Sequence, residues 1–209
     1  MGPSPSSLFL RPALCEGHAD FGMTKIIAWA AAGLMLLTLG GCEPQSSIPA
    51  GVQVYFSPKG GATEAVVDAL DHATNSILVQ AYSFTSAPIA QSLVEARRRG
   101  VKVAVILDDS QRTEKYSAAD FLAHNNIRTL IDAQHAIAHN KVMIIDGYVV
   151  LTGSFNFTKA AEEKNAENLL VINDPILARK YDANWQAHEQ HSEPYTREEP
   201  EPRQERRTR

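Results

Sequence analysis

The most constraining stretch of this chain runs from His139 to Asn156. It reads His139-Asn140-Lys141, then the apolar run Val142 to Ile145, then Asp146-Gly147, then Tyr148 to Leu151, and closes on Thr152-Gly153-Ser154-Phe155-Asn156. Asp-Gly between two short apolar runs is the strongest local signal for a β-hairpin, because its central residues must adopt positive φ. Alternate residues of a strand share a face, so His139 and Lys141 should project together. The returning strand ends at Gly153-Ser154, which brings a hydroxyl and the Asn156 carboxamide beside that imidazole and ammonium. Four such groups converging on one point make a pocket for an anion.

The rest of the chain supplies a scaffold. Val52 to Phe56, Ser76 to Ser83, Val101 to Leu107, Ile127 to Ile131 and Asn168 to Ile172 read as strands. Ala62 to Ala73, Ala87 to Arg99, Thr113 to Asn125 and Pro175 to Gln190 read as helices, the first with Ala65, Val66, Ala69 and Leu70 on one face. The almost continuous apolar run 101–107 between helices indicates a sheet covered on both sides. Strands alternating with helices and then a hairpin predict an α/β sandwich with a mixed β-sheet flanked by helices.

At 209 residues and 44% hydrophobic content the chain can bury one good core. Net charge is −4, and residues 51–190 carry 13 Lys plus Arg against 16 Asp plus Glu. That balance is unlike the basic surface of most nucleic-acid binders. Any phosphate recognition must therefore come from a local cleft.

Five segments follow from composition. Residues 1–22 have no pattern and suit an upstream extension. Residues 23–42 open with Met23-Thr24-Lys25 and continue with an apolar run from Ile26 to Leu39, as in an export signal. Leu39-Gly40-Gly41-Cys42 resembles a bacterial lipobox, which implies a lipid anchor at Cys42; the alternative is an ordinary signal peptide cut near Gly41 with Cys42 incidental, and either implies an exported, periplasmic protein. Residues 43–51 form a linker, 52–190 the folded domain, and 191–209 a Glu/Arg/Pro-rich tail expected to be disordered. Cys15 and Cys42 are the only cysteines, so the domain has neither a disulfide framework nor a thiolate metal site. His135 and His139 have the spacing of a helical metal pair, but they fall in a loop entering a strand, and no metal site is expected.

His139-x-Lys141, then Asp146, then Gly153-Ser154-x-Asn156 resembles the signature of the phospholipase D superfamily, most closely its single-motif bacterial endonuclease branch. The similarity extends from about Gln53 to Trp185. It implies phosphodiester hydrolysis without a cofactor. A neutral imidazole at His139 attacks phosphorus and forms a phosphohistidine, while Lys141, Ser154 and Asn156 donate to the phosphate oxygens. The other ring nitrogen of His139 needs a carboxylate partner, and Glu167 is the candidate. Asp146 belongs to the signature, yet at the hairpin turn it reads equally as a turn former.

One histidine cannot easily serve as both nucleophile and first general acid. None of His18, His72, His124, His135, His188 or His191 is followed two residues later by Lys, so the chain carries half a site. The simplest completion is a homodimer with two His139 residues across a two-fold axis, as the resemblance also implies. DNA, with RNA as a second polymer, is the expected substrate. Phospholipid head groups and non-catalytic anion binding are the rival readings. Phe84 and Phe155 are candidate base-stacking residues, with core packing as their alternative.

Overall fold

The computed structural model describes residues 51–196. The segments assigned to an export signal and lipobox, and the tail beyond residue 196, lie outside the described residues. Among the described residues no helix is long and apolar enough to cross a membrane.

Eight strands form one mixed sheet: β1 (Val52–Ser57), β2 (Ser76–Ala81), β3 (Lys102–Asp108), β4 (Arg128–Asp132), β5 (Lys141–Ile145), β6 (Val149–Gly153), β7 (Glu167–Asn173) and β8 (Glu193–Pro194). Their spatial order is β1-β7-β6-β5-β2-β3-β4-β8. Strands β2, β3 and β4 run parallel, and the remaining pairings are antiparallel. The expected mixed α/β sandwich is what the chain forms.

Both faces of the sheet are covered. On one face pack α1 (Ala62–Asp71), α2 (Ala87–Arg98) and α3 (Ala119–His124). Val66 and Leu70 of α1 and Ile89 and Leu93 of α2 stand four residues apart, and all are fully buried there. The other face is closed by α5 (Pro175–Glu189), where Ala178 and Trp185 meet Ile106, Val142, Ile144 and Val150. Asp174 caps α5 by accepting from the Ile176 and Leu177 amides, with Pro175 beginning the helix. Trp185 Nε1 donates to the Val79 carbonyl at 2.9 Å, fixing α5 to the centre of the sheet. The short α4 (Lys159–Glu163) starts from the Thr158 cap.

Pairing registers place one end of every long strand on a common edge. Lys141 lies opposite Ala81, and Val142 opposite Thr152. Leu169 lies opposite Gly153, and Glu167 opposite Ser57. Asp108 is aligned with Asp132 across the parallel pair β3–β4. The edge therefore carries the carboxyl ends of β2, β3 and β4, the position where open α/β sheets build their sites. At the opposite edge the chain enters β1 at Val52. It also leaves there, because β8 runs antiparallel to β4 and Tyr195 N bonds the Thr129 carbonyl.

Two sequence expectations change. The helix expected over 113–125 is only Ala119–His124, because Asp108 holds a 3-10 turn at Asp109–Arg112 and Ser117 Oγ accepts from the Ala119 amide, restarting the chain there. The fold also runs past residue 190. β8 pairs with β4, and the Tyr195 hydroxyl donates to Asp120 at 3.0 Å, so residues 191–196 belong to the domain rather than to a disordered tail.

The Arg97-Arg98-Arg99 run is taken up internally. Arg99 donates to the Leu70 carbonyl at 2.8 Å, Arg98 pairs with Glu95 at 2.7 Å, and Arg97 donates to the Asn126 carbonyl at 3.2 Å. It serves the end of α2 rather than a phosphate track.

Candidate active site

The residues named from the hairpin divide between the two ends of β5. His139 and Lys141 lie at its start, on the common edge, and Asp146 lies at its other end. Five strand residues separate the ends by about 17 Å.

Asp146 occupies the hairpin turn with φ of 54°. Its carboxylate accepts four hydrogen bonds: Thr74 N (2.9 Å) and Thr74 Oγ1 (2.8 Å) on one oxygen, Asn75 N (2.7 Å) and Ser76 N (2.8 Å) on the other. Among the described residues it pairs with no basic side chain, and it locks the loop from α1 into β2. Asp146, a member of the signature that also read as a turn former, stands here in the turn and remote from His139 and Lys141. Burial pushes its carboxyl up, but the donors from Ser76, Thr74 and Asn75 together outweigh burial and hold it below the ordinary value.

The sign of the pH dependence follows. A carboxylate depressed in the folded state stabilises above its unfolded pKa, near 3.9, and that stabilisation fades as pH falls through the folded value. Asp146→Ala should cost about 2 kcal/mol in urea denaturation at pH 7. The gap to the unmodified protein should narrow toward pH 3; an equal gap at both pH values would remove the carboxylate from the account.

On the functional edge, Lys141 is only 6% exposed, and its Nζ donates to the His139 carbonyl at 2.9 Å. The same ammonium stands 5.1 Å over the Tyr82 ring, which lies 4.6 Å from the exposed His139 ring. His139, two residues before β5, and Lys141, its first residue, thus both meet one aromatic, Tyr82. Burial pushes the Lys141 ammonium below its usual pKa, and the carboxylates of Glu167 and Asp108 push it back up.

Asp108 was not anticipated. It is 5% exposed and accepts from the Ala138 amide at 2.7 Å, the residue before His139, and from Ser110 N and Oγ at 3.0 and 2.6 Å. It therefore anchors the segment that presents His139. Its sequence signal was an Asp closing an otherwise apolar strand.

Gly153 brings the returning chain close. A Cβ there would lie 2.2 Å from the Asn168 carbonyl oxygen. Beyond it, Ser154 Oγ accepts from Asn168 N (3.1 Å) and Asn168 Nδ2 (3.3 Å), leaving the hydroxyl proton to be donated elsewhere. The Asn156 Oδ1 atom is buried with no hydrogen-bond partner among the described residues, which marks a group that a ligand can satisfy.

Glu167 N donates to Ser57 Oγ, and its carboxylate accepts from Asn165 Nδ2 at 3.1 Å. Within one chain, among the described residues, the His139 ring makes no hydrogen bond and meets no second imidazole; Glu167 acts on Lys141 instead. Phe84 and Phe155 are fully buried, with Phe84 packed edge-on against Phe157 at 5.8 Å, so both are core residues. A separate group of Asp132, His135, His188 and His191 lies at the end of β4.

A mixed sheet with a His, a buried Lys, a Ser hydroxyl with its proton to donate and an Asn carboxamide on one edge is a phosphodiesterase arrangement. The model of a family described as cardiolipin synthase, PLD-like domain, matches residues 66–188. The chain belongs to the phospholipase D superfamily and is a phosphodiester hydrolase of that group. A protein of Rickettsia felis described as phospholipase D is 45% identical over 134 residues, covering 64% of this chain and 67% of that protein. The crystal structure of Nuc from Salmonella typhimurium, a phospholipase D family member, matches at 44% identity and TM-score 0.66, covering 69% of this chain and 97% of that one. NucT from Helicobacter pylori matches at 26% identity and TM-score 0.65, covering 69% and 98%.

Proposed function

We propose that the protein hydrolyses DNA, with RNA as a second polymer, through a covalent phosphohistidine on His139 in a site completed by a homodimer, and that no metal takes part in the chemistry. The observation that carries this reading is the pairing of an exposed His139 ring with the desolvated Lys141 ammonium. The imidazole is free to attack, and the buried cation supplies the charge that stabilises the phosphorane-like transition state.

His139 forms the N–P bond while the His139 of a second copy gives its proton to the departing oxygen. Water then attacks the phosphohistidine, its proton passes to that second imidazole, and the N–P bond breaks to release the phosphate monoester. Ser154 and Asn156 hold the non-bridging oxygens. The exposed Phe56 and Ile137 flank the same edge, next to Glu167's neighbour Asn168 and two residues before His139, and suit a two-fold contact around it.

Glu167 supports the cation. Glu167→Gln removes the charge that raises the Lys141 pKa, so the alkaline limb of kcat/KM should move to lower pH, with about a tenfold loss at the optimum. An unchanged alkaline limb would separate Glu167 from Lys141.

The phospholipid reading has a specific support of its own: the Rickettsia relative is described as phospholipase D. We also propose export to the periplasm with Cys42 as the lipid attachment point, from the pattern of residues 23–42. The deciding assay offers the purified chain plasmid DNA and phosphatidylcholine vesicles in parallel, each with excess chelator. Nicked and linear plasmid with intact vesicles supports the nuclease. Choline release with intact plasmid moves the reading to lipid, and silence on both, with chelator and without it, leaves an anion-binding module.

A further inference from the structure

We infer that Asp132, His135, His188 and His191 form a binding site for a divalent transition ion of the zinc class, separate from the phosphodiester site. One potential ligand atom from each of the four lies within 4.8 Å of the others. Asp132, fully buried at the end of β4, is the hub. Its oxygens lie 2.7 Å from His188 Nδ1, 3.1 Å from His135 Nδ1 and 3.3 Å from His191 Nε2. A tetrahedral zinc with nitrogen and oxygen ligands at about 2.0–2.1 Å requires neighbouring ligand atoms about 3.4 Å apart. The 3.1 and 3.3 Å separations sit near that edge length, and the 2.7 Å one needs to open by about 0.7 Å to admit the ion.

The rings are arranged almost symmetrically, with centroids 4.9, 5.3 and 5.3 Å apart. An internal hydrogen-bond network explains this poorly. A single carboxylate would have to accept from all three rings as well as from the Gln134 amide. His191 Nε2 is moreover buried and aimed at the cluster with no hydrogen bond of acceptable geometry. Three neutral imidazoles and a carboxylate around a dication resolve both difficulties.

The ligands come from three places: the end of β4, the loop into β5, and the end of α5 with the turn after it. An ion there ties α5 and β4 to the loop that carries His139, four residues beyond His135. The site is structural: it positions the loop and does not touch the phosphate.

The test uses the full chain stripped by chelator dialysis and titrated with zinc against a metallochromic competitor, and separately with cobalt(II). About one zinc per chain should bind, raise Tm, and give cobalt the intense visible bands of a tetrahedral site without a thiolate charge-transfer band. His135→Ala removes a half-exposed ligand and should weaken zinc by about a hundredfold or more with an unchanged circular dichroism spectrum. A second variant, His191→Gln, guards against misfolding and should behave likewise. No zinc bound by the stripped chain, or full affinity retained in both variants, overturns the site; a thiolate band would assign the ion to Cys15 or Cys42. These readouts do not involve turnover, so the metal site and the nuclease can each fail without the other.

Discussion

His139→Ala should abolish turnover, by roughly a thousandfold or more, while the protein still folds and self-associates. The ring is exposed, lies 4.6 Å from the Tyr82 ring and makes no hydrogen bond among the described residues, so its loss should open no buried cavity and orphan no donor. Mixing gives the sharper result. When the variant is added to unmodified protein and subunits exchange, activity should follow the square of the unmodified fraction, about a quarter at equal amounts. A mixed dimer has one imidazole and cannot both attack phosphorus and protonate the departing oxygen. Linear dependence on the fraction would sink the shared site, and turnover by the pure variant would sink the phosphohistidine.

The second large effect is on stability. Gly153→Ala should destabilise by about 3 kcal/mol or more and remove activity with it. Gly153 has φ of 152°, and its added methyl would stand 2.2 Å from the Asn168 carbonyl and 2.9 Å from Asn168 Oδ1. That carbonyl also accepts from the Ser154 and Phe155 amides. Pushing it away breaks both bonds and displaces the Ser154 hydroxyl that Asn168 holds. Chemical denaturation of the variant gives the magnitude. A loss below about 1 kcal/mol would mean that the β6–β7 junction yields more easily than its geometry indicates.

The contrast between these residues shows where sequence reasoning reaches. The hairpin was legible because its causes are local: an Asp-Gly turn between two apolar runs, with a period of two. The strand–helix alternation was legible for the same reason. Its errors came where a side chain overrides periodicity, as when Ser117 restarts the helix expected from Thr113.

The site was half legible. His139, Lys141, Ser154 and Asn156 lie within one hairpin, so the turn alone brings them to one edge. Asp108 reaches the Ala138 amide across 30 positions, and Asp132 reaches His188 across 56. No local pattern encodes such approaches, since the order of β3, β4 and α5 in the sheet creates them. Asp146 marks the opposite limit. Its place in a recognisable spacing left a catalytic and a turn-forming role open, and its four hydrogen bonds hold a turn at the far end of β5.

The edge at which the chain enters β1 and leaves β8 is the one opposite the His139 edge. Cargo, affinity handles or immobilising surfaces joined directly before Val52 or after Tyr195 therefore attach at the rear of the catalytic domain. The His139 edge stays clear, which makes the domain suited to display on a bead or in a fusion without redesign of its front.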